Sequence, residues 1–416
     1  MHVITNFDVP KYVKVALAKS SKFIPDKRAT SFLDVSRSLC EFSRSLHLDV
    51  FFKDCPDCLP SRRLLPTRFL SKWQPPASPE VQSLHRQLLS IAYDYIERKP
   101  PRRPMIETEM FRWLRENPHV IVVDADKGLG DVLCDTDWVR RKLDERLDEA
   151  GSEVDHDVYL GSMAALSAKI KHIALQGLQN RVFTWRQSRE LLVRTDTAAA
   201  GTARVSIKIH KDPPDTRPIF NLGMTMIAPA AQWLNDILLE IQRGCGFVLT
   251  DTSGALSLIR DLVLQPGETL YTIDVVNLYP SIPRRELLAF VSEDIRKHCK
   301  GNTARASCAI ELLHVVLQGC IVQANGRLIL LERGIPTGIS CCVGLANVFL
   351  NRFDVVAARL PYIRSFGRFV DDTIVVATQN PLHDFHRNSF GLCWEITGSL
   401  QYGDTSKRIS FLDLEL

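Results

Sequence analysis

Residues 365–378 read "SFGRFVDDTIVVAT". One apolar run leads into Asp371 and Asp372, and a second leads out. Aspartate is depleted in strands, and adjacent like charges repel. Two readings are open for such a junction. It is a hairpin turn whose acids face water, or it is a loop whose acids hold a cation.

A distant acid bears on the choice. Asp274 ends another short apolar strand, "LYTI" at 270–273. If the two strands are neighbours in one sheet, Asp274, Asp371 and Asp372 gather at one edge. Such a cluster is costly unless a cation neutralises it. Carboxylates with open positions suit magnesium, which keeps waters and also binds substrate phosphates. Two such ions, with manganese as a substitute, can activate an attacking oxygen and stabilise a leaving one.

Phosphate calls for cations and for close backbone approach. Lys211 and Arg217 flank the turn "KDPPD" (211–215), near enough in sequence to meet one phosphate chain. Arginine supplies a bidentate fork and lysine a point charge. In "RGIPTGIS" (333–340), Gly334 and Gly338 surround a proline ahead of a helix rich in small residues. Glycine lets a backbone lie against a substrate. Each feature also has a plainer explanation: a charged turn in water, or a turn before a helix.

The chain has 416 residues, 45% hydrophobic and 24% charged, which is ordinary globular composition. Net charge is only +4, with 52 Lys and Arg against 48 Asp and Glu, so a basic surface has to come from segregation of charge. No basic-plus-apolar leader and no apolar run of about 18 residues is present, so neither a signal peptide nor a membrane span is expected. Nuclear or cytoplasmic residence is expected, without a clear targeting signal. Eleven cysteines are scattered irregularly and read as free thiols. Cys55 and Cys58 in "CPDC" have zinc-like spacing but no second pair nearby, which favours a proline turn. His383 and His386 are spaced to share a solvated helix face.

Along the chain, residues 1–115 read as mostly helical. "SFLDVSRSLCEFSRSLHL" (31–48) and "PEVQSLHRQLLSIAYDYIERK" (79–99) carry apolar residues at three-to-four spacing. The cluster Arg98, Lys99, Arg102, Arg103 reads as a solvated, proline-stiffened linker. "HVIVVDADKGLGDVLCD" (119–135) has a hairpin pattern around a glycine-rich turn. "TDWVRRKLDERLDEA" (136–150) predicts a helix capped by Thr136 or Asp137. "ARVSIKIHKDPPDTRPIFNL" (203–222) predicts a second hairpin, and helix returns from Ala228 to Gln242. A strand into a turn is expected at 268–279, a helix at 283–299 and a hairpin with the turn "NG" at 321–334. Another helix at 340–360 and a strand pair in "KRISFLDLEL" (407–416) complete the reading. The pattern is α+β, an antiparallel sheet with helices packed against it.

Several stretches, in this order, carry a resemblance. "DVVNLYPSIP" (274–283), "GIPTGIS" (334–340) and "RFVDD" (368–372) resemble the three palm motifs of reverse transcriptases. "IKIHKDPPDTRPI" (207–219) is similar to the fingers hairpin ahead of them. "ALAKSSKFIP" (16–25), "CEFSRSLHLDVFF" (40–52), "VVDADKGLGDVLCD" (122–135) and "ISFLDLEL" (409–416) bring the resemblance closer to Penelope-like retroelements and extend it over nearly the whole chain. The resemblance implies a right-hand polymerase: an N-terminal helical extension (1–115), fingers and the start of the palm (116–270), then palm and the start of the primer grip (271–416). The thumb expected next would be absent or truncated.

It also implies roles. Asp274, Asp371 and Asp372 would hold two magnesium ions with the Val275 carbonyl. Lys211 and Arg217 would hold the triphosphate, and Tyr279 would exclude a ribose 2′-hydroxyl. Gly338 would underlie the template–nucleotide pair. The partners implied are an RNA template, a DNA primer and deoxynucleoside triphosphates. Arg284, Arg285 and Lys208 are candidates for gripping nucleic acid. Phe369 stands where tyrosine is frequent, and "PTGISCCVG" (336–344) departs from the usual middle motif. Two rivals remain. In a family B polymerase, Asp404 of "QYGDTS" (401–406) would partner Asp274, although no clean strand is expected before it. A decayed or domesticated copy would only bind nucleic acid.

Overall fold

The structure is a computed structural model. It describes residues 2–4, 8–18, 32–51, 78–97, 106–197, 199–260, 262–404, 407–412 and 414–415. The chain divides into two compact units. One is Phe7–Pro118 with Met1; the other is His2–Asn6 with His119–Leu416. The "CPDC" pair and the basic cluster at 98–103 lie outside the described residues.

The first unit is helical: α1 (Lys11–Leu17), α2 (Phe32–Phe51), α3 (Pro79–Glu97) and α4 (Ile106–Glu116). The amphipathic spacing of α2 and α3 pairs them. Ser43 Oγ lies 2.6 Å from His85 Nδ1, and Phe32 meets Tyr93 edge to face at 5.7 Å.

The second unit starts with β1 (His2–Ile4), which pairs in parallel with a strand of the first predicted hairpin. That hairpin is β2 (Val120–Asp124) and β3 (Asp131–Asp135), giving the order β1-β3-β2. α5 (Thr136–Ala150) follows. Its cap is Asp135 rather than Thr136 or Asp137, because the Asp135 carboxylate reaches forward to accept from the Asp137 and Trp138 N–H groups at 2.9 and 3.4 Å. After β4 (Gly151–Glu153) come α6 (His156–Gln179) and α7 (Trp185–Leu192). β5 (Gly201–Lys208) and β6 (Asp215–Asn221) form the "KDPPD" hairpin, and α8 spans Ala228–Gln242 as expected. α9 (Thr252–Ile259), β7 (Thr269–Val275), the short α10 (Leu278–Ser281), α11 (Arg284–His298) and α12 (Thr303–Gln318) lead to the "NG" hairpin, β8 (Ile321–Ala324) and β9 (Arg327–Leu331). The remainder is α13 (Cys342–Ala357), β10 (Ile363–Phe369), β11 (Asp372–Ala377), α14 (Leu382–Asn388), β12 (Trp394–Gln401), β13 (Ser410–Phe411) and β14 (Leu414–Glu415).

Two larger sheets organise this unit. One has five strands in the order β4-β9-β8-β5-β6. The other has the order β10-β11-β7-β12 and is antiparallel throughout. Alternation gives the second sheet two different faces. Ile273, Val275, Val375 and Trp394 belong to the main core with Leu238, Val291, Leu312 and Phe353 from the helices. Phe353 stacks on Trp394 at 4.5 Å and meets Phe385 edge to face at 4.9 Å. Truncating such a buried ring costs roughly 3–5 kcal/mol. On the opposite face Leu270, Ile374 and Val376 pack with Ala255, Ile409 and Phe411. The acids of interest share this second face, at its other end.

The stretch before "QYGDTS" is a strand after all. β12 was hidden because it carries the polar, exposed residues Glu395, Thr397 and Ser399 and its register shifts between Ile396 and Gly398, which breaks the alternation.

Candidate active site

Strand register assembles the acids. In the β11–β7 ladder Thr373 faces Ile273, so the next position sets Asp372 beside Asp274. The turn of the β10–β11 hairpin closes on the pair Phe369–Asp372, with Val370 and Asp371 between. The Val275 N–H donates to the Asp371 carbonyl at 3.2 Å. On the other side of β7, Glu395 pairs directly with Asp274. Neighbouring strands lie about 4.8 Å apart, so three carboxylates share one face while Asp371 caps it.

The electrostatics fit this crowding. Burial, followed by the charges of Asp371, Asp372 and Glu395, pushes Asp274 up to about 6. Burial and Asp371 also raise Asp372, against the pull of Lys127. Glu395 and Lys127 were not among the expected site residues. Their neighbours lie far away in sequence, and no local spacing points to them.

The ligand turn is held from beneath. Val370 has φ 58°, a costly conformation for a β-branched residue. Its carbonyl accepts from Arg368 Nη1 at 2.7 Å. That guanidinium is fully buried. It donates through Nε and Nη2 to both oxygens of the equally buried Asp354, each at 2.8 Å, and through Nη1 to Asn347 Oδ1 at 2.8 Å. Asn347 and Asp354 are seven residues apart on α13 and so lie on one helix face. A bidentate buried pair thus ties the helix layer to the residue before Asp371.

Tyr279 is half-buried, and burial, with Cys342 and Asp371 adding, raises its hydroxyl pKa. It therefore stands within electrostatic reach of the acids. Its carbonyl accepts from Ile335 at 2.8 Å, which fastens α10 to the "GIPTG" loop. A Cβ on Gly334 would fall 2.0 Å from that same carbonyl oxygen, and one on Gly338 would fall 2.0 Å from the Phe220 carbonyl oxygen. Packing between backbones already requires both glycines.

The cations are arranged less uniformly than expected. Lys211 is exposed in the turn after β5. Arg217 on β6 is half-exposed, with Nη2 3.3 Å from Asp126 Oδ2. Arg285 is exposed, and Lys208 lies 3.9 Å from Asp215. Arg284 is turned inward. Its guanidinium donates to the carbonyls of Gly334, Leu317 and Leu331 at 2.8, 3.3 and 2.5 Å, so it is a structural brace.

Among the described residues, no three His, Cys, Asp or Glu side chains converge tightly enough to form a ready-made cage. Magnesium seldom uses one; it is bound by one or two carboxylates plus substrate phosphates and water. The hard oxygen donors of Asp274, Asp371 and Asp372, in a cluster that repels itself, fit such an ion. His386 is accounted for otherwise: its ring lies 2.9 Å from the Trp394 carbonyl and accepts the Trp394 N–H at 3.0 Å. A cavity of about 440 Å³ lined by Arg44, His47, His85 and Arg86 lies in the helical unit and has no carboxylate in its lining.

Asp404 is badly placed for the family B arrangement. It follows Gln401, which pairs with Thr269 at the far end of β7 from Asp274. Five residues of strand separate those ends by roughly 17 Å. Asp404 forms an ion pair with Lys407 at 3.1 Å.

No protein-family model and no curated protein matches this sequence. Solved structures do align. Apo telomerase from Candida tropicalis aligns at TM-score 0.47 and 10% identity, over 98% of this chain and 72% of that one. Telomerase from Candida albicans, in complex with a TWJ fragment of telomeric RNA, aligns at 0.49 and 11%, over 97% and 69%. The RNA-dependent RNA polymerase of a human picobirnavirus aligns at 0.42 and 10%, over 77% and 65%. All three superpositions are loose.

Proposed function

We propose that this chain is an RNA-directed DNA polymerase of the Penelope-like type. It extends a primer 3′-hydroxyl with deoxynucleotides on an RNA template and releases pyrophosphate. The observation that carries the reading is the register that brings Asp372 beside Asp274, with Asp371 on the adjoining turn. On this reading the four-stranded sheet is the palm, and the β5–β6 hairpin belongs to the fingers.

Asp274, Asp371 and Asp372, with the Val275 carbonyl, would hold two magnesium ions, which when bound activate the attacking hydroxyl and neutralise charge on the phosphates. The protein's own contribution is placement. Lys211 and Arg217 hold the triphosphate by point charge and fork. The Tyr279 ring would exclude a ribose 2′-hydroxyl by its bulk. Arg368 fixes the Val370 carbonyl, and with it the direction of the acidic turn.

The test is extension of a primed RNA template with magnesium, offering deoxynucleotides or ribonucleotides. Deoxynucleotide incorporation is expected, with ribonucleotides admitted by Tyr279→Ala. Incorporation of ribonucleotides alone by the unmutated chain would replace this reading with an RNA polymerase. No incorporation of either would refute it.

A further inference from the structure

The seam between α2 and α3 in the helical unit is not apolar throughout. Ser43, Arg44 and His47 lie about one turn apart on α2, and Gln82, His85 and Arg86 do so on α3. These six side chains line one cavity of about 440 Å³. Helices that pair in water usually fill such a seam with apolar residues. Here all six are polar, two are arginines and two are histidines. No carboxylate lines the cavity. Glu80, on the first turn of α3, accepts instead from Ser78 Oγ at 2.5 Å.

The lining presents donors from both helices. The Ser78 N–H donates to His47 Nδ1 at 3.1 Å. That nitrogen has to be unprotonated, so a neutral His47 carries its proton on Nε2 and donates from there. His85 Nδ1 is engaged as well, 2.6 Å from the Oγ of the buried Ser43, which leaves Nε2 as the other polar atom of that ring. Arg86 is exposed and makes no ion pair among the described residues. Gln82 adds an amide.

A compact oxyanion suits this lining. It accepts from guanidinium forks and from imidazole N–H groups, and two arginines match its charge. Phosphate offers acceptor oxygens in several directions, as donors on two facing helices require. No Phe, Tyr or Trp lines the cavity, so base stacking has no platform there. We propose that the α2–α3 seam is a binding site for a phosphate group, carried by a nucleic-acid strand or free in solution. The site belongs to the helical unit and does not depend on the polymerase reading.

The experiment uses the full chain in EDTA, so that no metal ion carries phosphate to the acidic face. Inorganic phosphate is titrated by calorimetry and a single-stranded RNA oligonucleotide by fluorescence anisotropy. The unmutated chain is compared with Arg86→Ala, Arg86→Lys and the double variant Arg44→Ala with Arg86→Ala. The proposal predicts that Arg86→Ala weakens binding about tenfold, as expected for one lost charge-assisted contact, and the double variant about a hundredfold. Arg86→Lys should retain part of the affinity. The melting temperature of Arg86→Ala should stay unchanged, because that side chain is exposed. Weakening with both probes means that phosphate alone suffices. Weakening with RNA alone, with its salt slope reduced by about one, assigns the site to a strand backbone. Affinities unchanged by Arg86→Ala with both probes, or no binding of either probe by the unmutated chain, would overturn the proposal. A polar seam that only fixes helix register would give that result, with a lower melting temperature in the double variant.

Discussion

Two hairpins of the second unit handle charge in opposite ways. The β10–β11 hairpin has a two-residue turn, and a fully buried guanidinium holds the carbonyl of its strained Val370. The β5–β6 hairpin has a wide turn with Lys211 exposed, and is tied where the strands meet that turn, at the pair of Asp215 with Arg146. Like charges brought together have to be held by surrounding structure, because they repel. Cations that meet a diffusible anion gain by remaining solvated and able to reach. The first hairpin is thus an anchored site of self-repulsion, and the second holds its cations exposed, as the proposed contact with a triphosphate requires.

The largest effect should come from cutting the anchor. Arg368→Ala strands a buried carboxylate and should cost about 3–5 kcal/mol of stability by denaturant unfolding. Arg368→Met combined with Asp354→Leu should recover much of that loss without restoring the hold on Val370. Equal destabilisation by the double variant would show that the loss does not come from the stranded Asp354 charge.

On the attraction side, Arg217→Ala should raise the nucleotide KM about tenfold, and should lower stability by less than Arg368→Ala because Arg217 is half-exposed while Arg368 is fully buried. A stability loss as large as that of Arg368→Ala would instead make Arg217 structural.

The self-repulsion of the acids has a pH signature. Asp274 titrates near 6 in the fold, above its ordinary value of 3.8. The fold therefore binds the proton more tightly than the unfolded chain does. Its favourable contribution is complete below about pH 4 and disappears as pH rises through 6. Asp274→Asn should accordingly raise the melting temperature at pH 7 relative to the unmutated chain and lose that advantage near pH 4. A constant difference across this range would argue against charge crowding as the cause. The smallest effect should be Lys407→Ala, which breaks an exposed pair and should change stability by no more than about 0.5 kcal/mol.

How much of this was legible follows the same division. The β10–β11 and β5–β6 hairpins could be read because each carries alternation and turn residues within about twenty positions. The acids Asp274 and Asp371 could be paired because each ends an apolar run. α12 was not read, although Ser307, Glu311, His314 and Gln318 mark a narrow polar stripe at helical spacing beside the fully buried Ala309, Leu312, Leu313, Val315 and Val316. The hold of Asp354 on Arg368 and the pairing of Glu395 with Asp274 are tertiary facts without a local pattern. The bracing role of Arg284 was not legible for the same reason. A charge beside a proline turn reads as surface until the three carbonyls that enclose it are in place.

The most direct measurement is primer extension on an RNA template by the unmutated chain, Asp371→Asn and Asp404→Asn, with folding of each checked by circular dichroism. The account predicts extension by the unmutated chain, full activity with Asp404→Asn, and a loss of about a thousandfold or more with Asp371→Asn, the equivalent of several kcal/mol at the transition state. Extension that survives Asp371→Asn but vanishes with Asp404→Asn would contradict it.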